Sequence, residues 1–278
     1  MLRRKLFCEY GPVCYYLSVW KENRRKEIMD LLSRKNFAKN KRNVPLSYVI
    51  KGHFSLLRRK LEGVDPALQD SKIINLQLAC NCINGLLILP GETFSFWRTV
   101  GSCTKRKGYQ PGLTIQKETL GSSVGGGLCQ LANLIHYMVL HSPLQVVELH
   151  HHTDAIFPDS QRRVPFGTGT SIFYKKVDYR FYNPTQDIWQ IRVWLDDNYL
   201  YGELLCSAPC EYRYRLLEEN HFFSKEGESY YRNSQVFRLI FDRKSKILLE
   251  KQLILNNHSK VLYSSHLIPK EELREEFH

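Results

Sequence analysis

The stretch that decides the fold runs Val124-Gly125-Gly126-Gly127-Leu128-Cys129-Gln130 and continues toward Ser142-Pro143. Leu128, Leu131, Ala132, Ile135, Met138 and Val139 recur at helical spacing, and Ser142-Pro143 ends the run. Cys129 therefore stands in the first turn of an amphipathic helix that the chain enters through three glycines. A thiol there lies in the field of the helix dipole, near backbone N–H groups without helical partners. Both favour thiolate over thiol and suit a nucleophile. Glycines before it let a substrate backbone approach without a Cβ in the way, and the nearby N–H groups can donate to a developing oxyanion. Gly125, Gly126, Gly127 and Gln130 are the candidate substrate-binding residues.

The chain then gains strand character from Leu144 to His152. In a strand, Glu148, His150 and His152 project to one side. His152 or His150 is the candidate general base for Cys129, which makes Cys129, His152 and His150 the candidate catalytic set. His136 is too far along the helix to pair with Cys129, about 10 Å at the usual rise. Singly, a helical cysteine reads as core and a glycine triplet as a flexible turn. The order of glycine loop, cysteine at a helix start and histidine on a following strand is that of papain-like and transglutaminase-like thiol enzymes. The expected fold class is α+β, with a nucleophile-bearing helix packed on an antiparallel sheet.

On the N-terminal side, Ile73 to Ile83 fits a buried helix stopped by Asn84-Gly85. Leu86 to Leu89 then reads as a short strand, and Thr93 to Trp97 as another after the turn at Pro90-Gly91. Residues 21–43 are dense in Lys and Arg, with Leu31, Leu32 and Phe37 among them. They read as a basic, partly amphipathic helix and a linker ending at Pro45, either a solvated face or a docking surface for an anionic membrane. On the C-terminal side, strands are expected at Ser171–Phe181 and Ile188–Leu195. A small meander should follow over Val236–Asp242, Lys246–Leu255 and Val261–Tyr263, with turns at Arg243–Ser245 and Asn256-Asn257. The divisions are 1–70, basic and mainly helical; 71–205, the core; and 206–278, a small β-rich extension.

Composition narrows the function classes. Of 278 residues, 43% are hydrophobic, enough for a real core, and the net charge of +12 favours an anionic partner. No apolar run approaches the roughly 20 residues of a spanning helix, and no repeat period is visible. Met1-Leu2-Arg3-Arg4-Lys5 would suit a signal-peptide start. Glu9, Gly11 and Pro12 break the run that follows, without a small-residue cleavage site. A cytoplasmic location with reduced thiols is expected, peripheral to the inner membrane face if the basic arm docks there. Cys80/Cys82 and Cys206/Cys210 lack the full spacing of a zinc site and read as buried thiols. His150 and His152 lack further ligands at a recognisable spacing, so neither metal nor cofactor is expected. The glycines match no nucleotide loop, and no DNA-reading helix accompanies the basic residues, so no nucleic-acid partner is expected.

Four segments together carry a resemblance. They are Asn84-Gly85, Pro90-Gly91-Glu92-Thr93-Phe94-Ser95-Phe96, Gly125-Gly126-Gly127-Leu128-Cys129-Gln130 and Glu148-Leu149-His150-His151-His152. Over roughly residues 71–200 the chain resembles the VanW family. The resemblance implies a role in peptidoglycan metabolism and glycopeptide resistance, with a stem peptide or its precursor as partner. Exported members of the family look like L,D-transpeptidases that use the motif cysteine. Carried over, Cys129 would form a thioester with a stem peptide, and His152 or His150 would move the proton. The alternative is a non-catalytic accessory that binds precursor or a resistance enzyme through the same cleft. Many members carry an aspartate where this chain has Gly169; Asp154 and Asp178 are the substitutes at hand.

Overall fold

A computed structural model of the chain describes residues 6–7, 10–58, 66–116, 119–151, 154–155, 164–174 and 176–274. The first half holds α1 (Pro12–Leu32), β1 (Asn36–Phe37), β2 (Tyr48–Leu56), α2 (Pro66–Ile83), β3 (Leu86–Ile88), β4 (Glu92–Ser95) and α3 (Phe96–Val100). Next come β5 (Pro111–Gln116), β6 (Thr119–Val124), α4 (Cys129–Val139), β7 (Gln145–Glu148) and β8 (Asp154–Ala155). The remainder is mostly strand: β9 (Arg180–Tyr182), β10 (Trp189–Leu195), β11 (Tyr199–Cys206), β12 (Tyr212–Glu226), β13 (Ser229–Asp242), β14 (Leu248–Val261) and β15 (Leu273–Arg274), with short 3-10 turns at Ser265–Leu267 and Lys270–Glu272.

The fold is mixed α+β and rich in strands. One antiparallel sheet runs β2-β11-β10-β3 and a second sheet β1-β4-β9-β7, while β5 and β6 form a separate hairpin. The helix α4 lies on β2 and β11. Its apolar stripe is the cause: Leu131, Ala132, Leu134, Ile135, Met138 and Val139 are all buried. Gly202 on β11 sets how close it comes, because a Cβ there would meet Met138 Cε at 2.7 Å and Leu134 Cδ2 at 2.8 Å. Leu200 and Leu204 flank that glycine on the same face, both fully buried.

The N-terminal region contributes more than helix. β2 pairs with β11 from Tyr48 to Leu56, so residues 48–56 form an edge strand of the core sheet. Pro12 opens α1 where a missing N–H costs nothing. The far end of α1 is clamped to the core, where Arg180 donates from Nη1 and Nη2 to the two carboxylate oxygens of Asp30 at 2.6 and 2.7 Å.

The tail departs from expectation in having the unexpected strand β12 and in running the last two expected strands together as β14. β12, β13 and β14 are strands of 14 or 15 residues in a sheet ordered β15-β12-β13-β14-β8. The turn at Arg243–Ser245 is present, with the Ser245 N–H and hydroxyl donating to Asp242 at 2.6 and 2.7 Å. No turn forms at Asn256-Asn257. There β14 continues, pairing Asn256 with Gln235 and Asn257 with Ser234. Cross-strand pairing and the hydrogen bond from Asn257 Nδ2 to the Arg232 carbonyl override the turn preference of asparagine. The segment expected as a strand from Ser171 becomes one only at Arg180, after a tight bridge between Phe173 and Val177.

Candidate functional site

Cys129 is the first residue of α4, entered through the glycine triplet as its spacing predicts. The loop owes its shape to α2. Asn75, fully buried, donates from Nδ2 to the carbonyls of Gly126 and Gln110 at 3.0 and 2.9 Å. Its Oδ1 accepts the Gln110 N–H at 2.8 Å. Lys72 lies across Gly127, where a Cβ would sit 2.0 Å from Lys72 Cγ, and Gly127 adopts φ +94°. Glycine is needed there twice over, for space and for the left-handed backbone. Gly125 faces Cys103 in the same way, at 2.5 Å to Cβ. Gln130 turns its amide nitrogen to Ser55 Oγ at 2.8 Å and the Leu56 carbonyl at 2.9 Å, tying the helix start to β2.

The residue Cys129 is part-buried, and its thiol donates to the Ile172 carbonyl at 3.8 Å. Burial pushes the thiol pKa up, while backbone hydrogen bonds at Ile172 and at its own amide pull the other way. Desolvation outweighs the helix N-terminus, so the resting group is a thiol and not the thiolate that the dipole argument favours. One turn on, Asn133 Oδ1 accepts the Thr170 N–H at 2.6 Å, which pins residues 170–172 along the same face of α4.

The histidines divide. β7 stops at Glu148, so His150 lies beyond the strand with its ring exposed, Nε2 standing 3.6 Å from Glu148 Oε1. The backbone still passes beside the thiol, because the Ser171 N–H donates to the His150 carbonyl at 2.7 Å and Ser171 precedes Ile172. His151 meets the Gly167 carbonyl through Nδ1 at 3.0 Å. His152 lies outside the described residues. Among the described residues, the Cys129 sulfur hydrogen-bonds to Ile172 and to no histidine. His136 packs as its place in the helix implies: it is buried against the Tyr179 hydroxyl at 3.2 Å and held neutral, its pKa lowered to about 3 by burial and then by His151.

Among the described residues, neither Asp154 nor Asp178 pairs with His150 or His151 through its carboxylate. Asp154 sits in β8 beside Lys260. Buried Asp178 accepts from the Ser95 hydroxyl at 2.6 Å, the Trp97 N–H at 3.1 Å and Arg180 Nε at 2.7 Å. The carboxylate near His150 is Glu148, which also accepts the Asp178 N–H at 3.1 Å and faces Arg180 at 3.2 Å. Among the described residues no group of three or more His, Cys, Asp or Glu gathers as a metal site. Cys80 and Cys103 are raised to about 12 and about 11, mainly by burial.

A family model described as VanW like protein matches residues 71–205, the segment that carries this loop, thiol and histidine run. The vancomycin B-type resistance protein VanW of Enterococcus faecalis is 32% identical over 201 residues, 72% of this chain and 73% of its own length. The chain belongs to the VanW family. A second relative, the uncharacterized protein YoaR of Bacillus subtilis, is 34% identical over 113 residues, 41% of this chain and 36% of its own. No solved structure matches this VanW chain. Its site includes residues that motif reading passes over: Lys72, Asn75, Asn133 and Ile172. Lys72 and Asn75 left a trace in the sequence, as polar residues in register with the buried Leu76, Ala79, Cys80 and Ile83 of α2.

Proposed function

We propose that this chain is a cysteine-dependent acyl transferase of peptidoglycan metabolism, acting on stem peptides or their precursors in a thiol-enzyme-like core, with Cys129 as nucleophile. The observation that carries the reading is a cysteine at the first residue of α4, behind a glycine loop bonded by Asn75 and packed against Lys72. The sulfur attacks a stem-peptide carbonyl carbon as His152 or His150 takes the thiol proton. An S–C bond forms, the peptide C–N bond breaks, and the leaving amine departs with that proton. An acceptor amine then attacks the thioester, a new amide forms, and its surplus proton returns through the histidine to sulfur. Gly125, Gly126, Gly127 and Gln130 line the approach, and backbone N–H groups of the helix start donate to the oxyanion.

Glycopeptide resistance, named in the Enterococcus faecalis relative, belongs to the same proposal. So does a position at the cytoplasmic membrane face. On α1, Val13, Tyr16, Leu17 and Trp20 are exposed at helical spacing, and Lys21, Arg24 and Arg25 follow. That stripe and the basic run 21–43 suit an anionic interface. No described helix is long and apolar enough to cross a membrane.

The upward shift of the thiol favours a second reading, an accessory that binds precursor in the same cleft without reacting. Intact-protein mass spectrometry with a tetrapeptide stem separates the two. The transferase gains the mass of an acyl group on wild type and none on Cys129→Ser, with resistance lost in the variant. Undiminished resistance in Cys129→Ser overturns the nucleophile.

A further inference from the structure

A cavity of about 840 Å³ opens where the core meets the tail, between β2 and α4 on one side and the β12–β13 strands on the other. Five cations line it: Lys51 from β2, Arg213 and Arg215 from β12, and Arg243 and Lys246 from the turn after β13. Its acid, Asp242, is occupied by the Ser245 amide and hydroxyl. Among the described residues, none of the five cations forms a salt bridge, whereas Arg192 and Lys251 elsewhere on the sheets do. Unpaired like charges gathered in one concavity cost stability through mutual repulsion unless an anion neutralises them. The field reaches its neighbours. Lys51 is lowered by burial and then by Arg213, and His141 falls to about 4, chiefly by burial, with Lys51 and His53 adding to the fall.

The wall is aromatic as well as basic. Lys51 Nζ stands 5.0 Å over the Tyr137 ring and the Arg215 guanidinium 5.6 Å over Phe241. Cations backed by ring faces, in a space large enough for a small molecule, recognise a phosphorylated ligand with a planar or sugar ring. The number of cations exceeds what one phosphate engages.

We propose that this cavity binds a ligand carrying a diphosphate joined to a ring, held by Lys51, Arg213, Arg215, Arg243 and Lys246. Tyr137 lies eight residues beyond Cys129 on the same helix, roughly 12 Å along its axis. The cavity is thus a separate site from the thiol, and the proposal stands without acyl transfer at Cys129. Two sources share the ligand chemistry, a soluble nucleotide sugar and a polyprenyl-linked sugar at the membrane.

Calorimetric titration of the full chain tests it, first with inorganic pyrophosphate, then with uridine diphosphate N-acetylglucosamine. Vesicles carrying a polyprenyl diphosphate sugar form the third arm. Binding is expected for pyrophosphate, tighter for whichever ring-bearing source is native, and unchanged in Cys129→Ser. Arg213 and Lys246 are exposed, so Arg213→Gln with Lys246→Gln keeps the fold while weakening pyrophosphate about tenfold or more. Lys105→Gln with Lys107→Gln, which removes the same charge away from the cavity, leaves it within about twofold. Absent pyrophosphate binding, equal losses in the two double variants, or sulfate binding as tightly at matched ionic strength overturns the proposal.

Discussion

The core and the C-terminal sheet solve the same folding problem by opposite means. Among the described residues, one continuous buried cluster fills the core, from Leu57 to Cys206, and takes nothing from beyond Cys206. Its rings meet edge and face: Phe94 stacks on Phe181 at 4.9 Å, with the Tyr179 ring edge-on to Phe94 at 6.3 Å. The strands β12, β13 and β14 stand outside that cluster and bury fewer apolar side chains, such as Phe223 and Val236. They are joined by long ladders and by cations over rings, such as Arg238 over Tyr214 at 5.5 Å and Lys251 over Phe237 at 4.2 Å. Charge screening does not weaken the stability that apolar burial confers. Surface cations leave charge free for ligands, and the basic cavity lies where the second kind of surface meets the first.

Three measurements would break or sharpen this contrast. Phe94→Ala should cost about 3–5 kcal/mol in denaturant unfolding, because a fully buried ring leaves a cavity that its stacked neighbours cannot close. A loss under about 1 kcal/mol would show that the core is not the stabilising body. Acid should come next. Unfolded His136 titrates near 6.5 and the folded residue near 3, so below about pH 6.5 the unfolded chain takes a proton that the folded chain refuses. Stability should fall as pH drops through that window and level off near 3. In urea titrations across it, His136→Gln should remove much of the slope while His141, lowered to about 4, keeps the rest. An unchanged slope in the variant would contradict the assignment.

The smallest effect belongs to the tail. Lys251 donates to both carboxylate oxygens of Glu219, at 2.9 and 2.7 Å, with both side chains part-exposed. Lys251→Ala should cost less than about 1 kcal/mol, and the loss should shrink further in high salt. A core-sized loss would mean that the tail is held by its ion pairs.

Periodicity made α2, β3, α4 and β10 legible, because each presents one buried face or a buried run that repeats with its own geometry. It failed at β2, an edge strand whose half-buried side carries Lys51, His53 and Ser55 while Phe54 and Leu56 are exposed, so hydrophobicity does not mark the inner face. It failed again at Asn256-Asn257, where the neighbouring strand decides. At the site, Cys129 and its loop could be read because thiol, helix start and glycines adjoin in the chain. Asn75 and Asn133 could not be joined to them, because the hydrogen bonds that make them part of the site cross 51 and 37 residues.

The sequence by itself determined that a cysteine would open an amphipathic helix behind a glycine turn, that the chain would be mixed α+β, and that it would carry a large positive charge. Local pattern and composition are properties of the chain and need no partner. Tertiary structure alone decided the state of the thiol, since desolvation depends on what packs around it and opposes the helix dipole. It alone also decided where the charge collects: Lys51 and Arg213 are 162 positions apart in the chain, and only the approach of β12 to β2 places them in one cavity.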